Sequence, residues 1–295
     1  MTTWLSCVWR PVVIPAAVCV WFAGTSVCRA QAPPNMPPTY IPQTKFWSGQ
    51  DVVPVYEGWL RNSDGTFTMV FGYFNRNYRE ELFIPPGPDN HLDPGPADRG
   101  QPTFFAPRRQ RWVFRVNVPA DWGQKELVWT LTSHGRTEKA YGQLLREQEI
   151  IERLIMSRGN LSPGLDDPNK PPAITIEPPG EAVVSNPLAL TALVTDDGLP
   201  KPRVPKLRTE VGPGKAQTNT SVERRYGLSV TWLQYRGPAK VIFDYDDRIA
   251  VNNGKAVTMA RFTQPGTYQL QATASDGSLS TTASVTVMVD PAASK

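Results

Sequence analysis

Residues 262–289 constrain the fold of this chain more than any other part of the sequence. Apolar residues alternate with polar ones on both sides of an Asp276-Gly277 turn, through 268–274 before it and 279–289 after it. Alternation with a period of two residues across an Asp-Gly turn is the sequence signature of a β-hairpin. We therefore expect two long antiparallel strands here, and a sheet that they complete.

Further short strands precede the hairpin, so residues 173–289 predict an antiparallel β-sandwich. Trp232 lies in the middle of one of them and is expected to be buried at the centre of that sandwich. The preceding strands, which are separated by Asp-Gly, Gly-Pro and Asn-Gly turns, are expected at 173–177, 188–195, 228–235, 240–244 and 256–262.

These residues resemble the PKD and cadherin-like group of immunoglobulin-type domains over about residues 171–289. The shared features are Asp196-Asp197-Gly198, Trp232, Gly237-Pro238, Pro265-Gly266-x-Tyr268 and Ser275-Asp276-Gly277. The resemblance implies an immunoglobulin-like sandwich. Such domains occur in adhesins, secreted enzymes and surface spacers alike, so it implies no activity. A Lys- and Arg-rich insertion at 199–227 departs from the family pattern. We expect it to be a solvated loop, with a binding arm as the alternative.

Residues 55–140 predict a second β domain that is rich in aromatic side chains. Its strands are expected at 56–61, 67–74, 109–118 and 127–132, with a long loop at 84–109. With its PGPDN and DRGQPT motifs, this region is similar to a domain of exported bacterial proteins of uncharacterised function, over about residues 54–142. That similarity implies export and assigns no activity.

A change of period separates the two β domains. Apolar residues recur at helical spacing through 141–157, and Gly159 follows them, which predicts a helix that ends there. A Pro-rich linker completes the connecting segment 141–172. The expected fold class is therefore all-β: two antiparallel, immunoglobulin-like β-sandwich domains joined by a short helix and a Pro-rich linker.

The first 32 residues predict a secretory signal peptide. Arg10 precedes an apolar run at 11–22, and Ala30-Gln31-Ala32 has the small-x-small pattern of a cleavage site. The apolar run is shorter than the ~20 residues that a membrane-spanning helix needs. We expect cleavage near Ala32, export to the periplasm or the exterior, no transmembrane segment after cleavage, a Pro-rich disordered lead-in at 33–54 and a tail at 290–295.

Cleavage would leave a chain without thiols and with nearly balanced charge. The three cysteines, Cys7, Cys19 and Cys28, all lie in the leader, so the processed chain is expected to form no disulfide or thiolate site. The leader holds two of the 31 basic residues and no acidic one, which leaves 29 against 27. A nucleic-acid partner is therefore not expected.

Three aspartates in the second domain are candidate metal ligands. Asp196, Asp197 and Asp276 follow strands whose loops lie at one end of an immunoglobulin-like sandwich. Carboxylate oxygens that converge there would suit calcium, which takes six to eight oxygen ligands. Asp-Gly is also ordinary turn chemistry, and the pattern leaves both interpretations open. No other cofactor is expected.

A shallow carbohydrate site is the second candidate. Aromatic faces beside amide, carboxylate and guanidinium groups are how such a site is built, and an exposed coplanar pair of Trp or Tyr would distinguish it. Core packing and turn capping are the alternative roles for the same residues. The candidate ligand-binding residues are Trp59, Asn75, Arg76, Tyr78, Asp89 and Asn90.

No catalytic residue is assigned. His91 and His134 are the two histidines of the chain, and neither lies in a hydrolase motif. We expect a non-enzymatic interaction or spacer protein of the cell envelope or surface whose partner is an envelope protein or polysaccharide. The alternatives are a carbohydrate-binding module and an enzyme of unknown class, which a buried polar constellation around His91 or Asp93 would support.

Overall fold

The computed structural model describes residues 45–160, 164, 166–201, 227–244 and 248–292. The predicted signal peptide 1–32, most of the lead-in, nearly all of the insertion and the end of the tail lie outside the described residues. Strands are nearly the only regular secondary structure of the described part, beside one short α-helix and a 3₁₀ turn, and every sheet is built mainly from antiparallel pairs. The prediction of an all-β fold is confirmed. No helix among the described residues is long and apolar enough to cross a membrane.

Eight strands form the first half of the described chain, here called the N-terminal sandwich. They make two three-stranded sheets, in the orders β1-β2-β6 and β4-β7-β8, and a small β3-β5 pair. The strands are β1 (Val52–Arg61), β2 (Phe67–Asn75), β3 (Leu82–Phe83), β4 (Asn90–Asp93), β5 (Phe104–Phe105), β6 (Arg108–Val118), β7 (Leu127–Ser133) and β8 (Arg136–Gly142).

Aromatic side chains fill the space between the two larger sheets. Phe71 of β2 and Phe114 of β6 meet Trp129 of β7, with ring centroids 6.1 and 4.7 Å from the indole. All three residues are at most 5% exposed. Because alternate residues of a strand point to one face, these residues join the sheets into a single core.

Two expectations for this region are corrected. The lead-in does not extend to residue 54, since β1 begins at Val52 and pairs there with Asn75 of β2. The region 84–109 is more than a loop, because β4 and β5 form inside it and pair with β7 and with β3 respectively. In these two short strand pairs, the apolar residue Leu92 lies opposite Trp129, and Phe83 lies opposite Phe104.

Nine strands form the second half, here called the C-terminal sandwich. Its sheets run β13-β15-β11-β9 and β10-β17-β16-β12-β14. The strands are β9 (Ala173–Ile176), β10 (Ala182–Val183), β11 (Leu188–Thr195), β12 (Ser229–Arg236), β13 (Val241–Phe243), β14 (Ile249–Ala250), β15 (Lys255–Phe262), β16 (Gly266–Ser275) and β17 (Ser280–Asp290).

The strand order of the C-terminal sandwich is that of an immunoglobulin-like fold. β9-β11-β15 on one sheet and β12-β16-β17 on the other reproduce the A-B-E and C-F-G arrangement. Leu190 of β11, Trp232 of β12 and Leu270 of β16 belong to one buried cluster, so the two sheets face each other. Trp232 is 7% exposed, which confirms its predicted burial.

The C-terminal hairpin forms as predicted. β16 and β17 pair without a register shift from Gly266↔Val289 to Ser275↔Ser280. Asp276 holds the turn, because its Oδ1 accepts the N–H groups of Ser278 and Leu279 at 2.5 and 2.7 Å.

The prediction of a helix over 141–157 is wrong for most of its length. β8 continues to Gly142, a 3₁₀ turn covers Arg146–Gln148, and α1 spans only Glu152–Met156. Residues 145–150 lie beside β1 instead: the Trp59 indole donates to the Leu145 carbonyl at 2.7 Å, and the Ile150 amide donates to the Trp59 carbonyl at 2.8 Å. These bonds to the strand replace the internal bonds of a helix.

Candidate functional site

Three of the predicted sugar-binding residues are buried in the N-terminal sandwich. Trp59 is 3% exposed, and Asn75 and Asn90 are fully buried. Asn75 donates to the carbonyls of Glu80 and Phe105 at 2.8 and 3.1 Å. These side chains offer no face to a surface ligand, because the amides and the indole N–H are engaged inside the chain.

The other three predicted residues, Arg76, Tyr78 and Asp89, are half-buried or exposed, and they do not lie together in one site. Arg76 makes a 3.0 Å ion pair with Asp51, a carboxylate that is 1% exposed. Asp89 is exposed, and its carbonyl accepts the Thr132 amide at 2.8 Å. Tyr78 is half-buried and takes part in a different surface.

That surface is a set of rings and cations in contact with one another, here called the aromatic–cation row: Arg79, Trp47, Tyr78, Arg108 and Phe74. The Arg79 guanidinium lies 4.1 Å from the Trp47 ring centroid. The Trp47 and Tyr78 ring centroids are 6.3 Å apart. The Arg108 guanidinium lies 3.9 Å from the Tyr78 ring and 4.8 Å from the Phe74 ring. The row therefore places a guanidinium against each of its three rings.

Backbone hydrogen bonds hold the exposed end of the row. The amides of Tyr78 and Arg79 donate to the carbonyls of Phe46 and Trp47 at 2.9 and 3.0 Å. Trp47 is 55% exposed and Phe46 48% exposed. The Trp47 and Tyr78 rings are inclined by 68°, so they are not the coplanar pair expected of a flat sugar platform.

The predicted calcium residues lie at one end of the C-terminal sandwich, and the linker joins them there. Asp276 is 7% exposed, and its Oδ2 accepts the Asn169 amide at 3.1 Å. Asp197 accepts the amides of Lys170 and Leu199 at 3.0 and 2.9 Å. Asp196 accepts the Gly198 amide at 3.0 Å. Each of the three carboxylates therefore already uses some of its hydrogen-bonding capacity to cap a turn or to hold the linker.

Two oxygens at this end are buried without a hydrogen-bond partner, namely Asp196 Oδ1 and Asn169 Oδ1. Desolvation, together with the charges of Asp276 and Asp197, raises the pKa of Asp196. Across the described ranges, no group of three or more His, Cys, Asp or Glu side chains is arranged to hold a metal ion. A cation here would therefore need amide or carbonyl oxygens besides the carboxylates.

The histidines lie in separate places. His91 Nδ1 lies 3.0 Å from the Pro88 carbonyl, on a shallow cavity of about 370 Å³ that Asp93 also lines. His134 Nε2 lies 3.2 Å from Glu80 Oε1. Besides His91 and Asp93, the residues that line this cavity are Gly, Pro, Leu and Ala, which carry no polar side-chain group.

A cleft of about 470 Å³ lies between the β1-β2-β6 sheet and the segment that ends in α1. Two bidentate ion pairs cross it, Arg61 with Glu149 and Arg115 with Glu152. Because each guanidinium is already matched by a carboxylate, these pairs serve to fasten the segment to the sheet.

Residues 235–240 join the two sandwiches, in contacts here called the joint. Tyr235 is the penultimate residue of β12, yet it packs in the aromatic core of the N-terminal sandwich, and its hydroxyl donates to the Gly100 carbonyl. Arg236 donates to both carboxylate oxygens of Asp98, at 3.1 and 2.7 Å, and to the Gln101 carbonyl at 2.8 Å.

Backbone bonds and a second ion pair complete the joint. The Thr103 amide donates to the Tyr235 carbonyl at 3.2 Å, and the Gly237 amide donates to Thr103 Oγ1 at 3.3 Å. Lys240 pairs with Glu81 at 2.8 Å. No sequence motif predicts this set, because its partners are more than 130 residues apart and their spacing follows no period.

The strand order described above places this chain in the immunoglobulin-like, all-β class of folds. No protein-family model and no curated protein matches the chain. Among solved structures, a conjugative transposon lipoprotein from Bacteroides eggerthii is 11% identical, with 40% of this chain and 96% of that one covered and a TM-score of 0.26.

Two further structures are similar over more of the chain. A chimeric titin Z1Z2 tandem is 12% identical, with 80% of this chain and 99% of that chain covered and a TM-score of 0.23. The D0-D1 domain of intimin is 12% identical, with 81% and 100% covered and a TM-score of 0.23. At such low identities and TM-scores, the three similarities bear on neither the function nor the site.

Proposed function

We propose that this chain is an exported, non-enzymatic interaction and spacing module of the cell envelope. Its two domains, 55–140 and 173–289, would present their surfaces at a fixed distance and angle. The observation that carries the proposal is the joint. A spacer needs a defined geometry between its domains, whereas a flexible linker would let them turn independently.

The composition of the joint supports a rigid connection. Tyr235 is 5% exposed in the core of the other sandwich, and burial raises the pKa of its hydroxyl. Arg236 makes a two-point contact with Asp98, which fixes orientation as well as distance. Rotation between the sandwiches would have to expose the tyrosine and break these bonds together.

Hydrogen–deuterium exchange on the full chain tests the spacing role. The Thr103 and Gly237 amides bond across the joint, so both should exchange slowly, and Arg236→Ala should speed both. Lys255→Ala, which removes an exposed ion pair with Glu177, is the matched control and should leave them unchanged. Exchange in the wild type as fast as in an open loop would contradict the proposal.

Export is tested by sequencing the N-terminus of the protein recovered from the cell envelope. The proposal expects it to begin near Pro33, since Ala30-Gln31-Ala32 precedes that position. An envelope form that still begins at Met1, or accumulation of uncleaved protein in the cytoplasm, would contradict export by a cleaved signal peptide.

We also propose calcium as a ligand at the end of the C-terminal sandwich. The specific support is the pair of buried, unpartnered oxygens, Asp196 Oδ1 and Asn169 Oδ1, beside the buried Asp276 carboxylate. A cation there would give these oxygens a partner and would offset the desolvation and the repulsion that together raise the pKa of Asp196.

Calorimetry of the full chain in calcium and in chelator tests this site. Calcium should raise the melting temperature of the wild type by mass action, and raise it less in Asp276→Asn. That substitution keeps an Oδ1 acceptor for the Ser278 and Leu279 amides, so it separates ligation from turn capping. Asp89→Asn is the exposed control. Identical traces with calcium and with chelator would end the calcium proposal.

A further inference from the structure

The cations of the aromatic–cation row are held by rings and by one backbone carbonyl, since Arg108 donates to the Arg76 carbonyl at 3.1 Å. Within the described residues, no carboxylate lies within 4.0 Å of a cationic nitrogen of Arg79, Arg108 or Lys45. Lys45 flanks the row with its ammonium 5.5 Å from the Tyr78 ring. By contrast, Arg61 and Arg115 of the cleft are each matched by a glutamate.

The nearby carboxylates are already engaged by other groups. Glu80 accepts the Gly49 amide at 2.6 Å and pairs with His134 at 3.2 Å. Asp51 pairs with Arg76 at 3.0 Å. The cations of the row are therefore not neutralised from within this part of the chain, and a ligand that carries negative charge would complement them.

Ring stacking also fixes where these cations lie. Arg79 covers one face of Trp47, and Arg108 lies against both Tyr78 and Phe74. A guanidinium stacked on a ring loses little freedom when it binds, because its position is set beforehand. The row thus combines ordered positive charge with apolar ring surface.

We propose that the aromatic–cation row binds an acidic polysaccharide, a chain in which sugar rings carry carboxylate or sulfate groups. A sugar ring of such a chain would pack on the exposed Trp47, and its anionic groups would lie against Arg79, Arg108 and Lys45. This inference deepens the proposed interaction role by naming the partner class.

A lipid surface fits the row less well. Binding to a lipid headgroup layer needs exposed apolar rings that can insert between the lipids. At the row, Phe46 and Trp47 are the exposed large rings. Tyr78 and Phe74 are half-buried, with Arg108 against both rings.

Calorimetric titration of the full chain tests the proposal with four probes: oligogalacturonate, heparin oligosaccharide, neutral maltohexaose and vesicles of phosphatidylglycerol. Binding of at least one acidic oligosaccharide, weakened by added salt, is expected, with none to maltohexaose. Binding to neither acidic oligosaccharide, equal binding to the neutral one, or binding to the vesicles alone would overturn the proposal.

Substitutions locate the site. Arg79→Gln and Trp47→Ala should each weaken binding of the acidic oligosaccharide by about fivefold, the effect of losing one exposed stacked contact. Arg111→Gln is the matched control, because Arg111 is also an exposed arginine near a ring, 5.0 Å from that of Trp112. Equal weakening in the control would overturn the assignment to the row. Amide exchange at Thr103 and Gly237 tests the spacing role and does not depend on any ligand. Failure of polysaccharide binding can therefore be told apart from failure of the spacing role.

Discussion

Buried amide side chains connect the loops of the N-terminal sandwich to its aromatic core. Asn90 donates to the carbonyls of Ile84 and Pro102 at 2.8 and 2.9 Å and accepts the Trp129 indole N–H at 3.0 Å. The sequence suggested a surface role for Asn90, since asparagine is mostly exposed and it follows a Pro-Gly-Pro-Asp turn. Its partners are separated from it by up to 39 residues, and no local pattern reveals such contacts.

Replacing Asn90 with alanine should destabilise the protein by about 2–4 kcal/mol, because two carbonyls and an indole N–H lose their partner inside the core. Asn186→Ala, at an exposed position, is the control and should change stability by less than about 0.5 kcal/mol. Denaturant unfolding of both variants measures the difference. Equal stability of the two would show that the buried amide contributes nothing to the core.

At the scale of elements, the alternation of apolar and polar residues predicted the strands well, whereas the helical spacing of apolar residues in 141–157 predicted a helix that does not form over most of that segment. The strand expected at 188–195 is observed at Leu188–Thr195, because one face meets the core and the other meets solvent. The segment 141–157 has its apolar residues at helical spacing, but tertiary contacts decide its conformation. Residues 145–150 bond to β1, and that contact could not be read from the segment itself.

Gly58 makes this contact possible, and its replacement tests it. Gly58 has φ +126°, and an added Cβ would lie 2.6 Å from the Gln148 carbonyl oxygen and 2.9 Å from Ile150 Cγ2. Gly58→Ala should therefore destabilise the protein by about 1–3 kcal/mol more than Gly65→Ala. Gly65 is the matched control, since it also has positive φ but open space around it. Equal losses of unfolding free energy would mean that the segment is not tightly packed on β1.

At the scale of the whole molecule, the joint determines how the two sandwiches are arranged. The class of each sandwich follows from strand patterns within it, and the C-terminal one was predicted on that basis. Their arrangement depends on Asp98, Tyr235 and Arg236, which lie in a loop and at a strand end where alternation carries no information.

The Asp98–Arg236 pair should make the joint sensitive to acid. The hydrogen bonds from Arg236 lower the pKa of Asp98 from its ordinary value of 3.8. Since the folded-state pKa is below the unfolded one, the contribution of the pair is present above the unfolded value and is lost as pH falls through the folded value. The melting temperatures of wild type and Asp98→Asn should therefore converge as the pH falls from about 6 to below the unfolded value of 3.8. A constant difference in melting temperature over that range would exclude a role for the Asp98 carboxylate. Asp89→Asn, at an exposed position, is the control.

The most direct test of a fixed arrangement is a distance distribution between the two sandwiches. Spin labels at Ser63→Cys and Thr263→Cys, both at exposed positions, can be measured by double electron–electron resonance in the chain that begins near Pro33, which has no cysteine of its own. We predict one narrow distance peak for this pair, which broadens when Arg236→Ala is added. A broad or multiple distribution without that substitution would contradict the account of the protein as a rigid spacer.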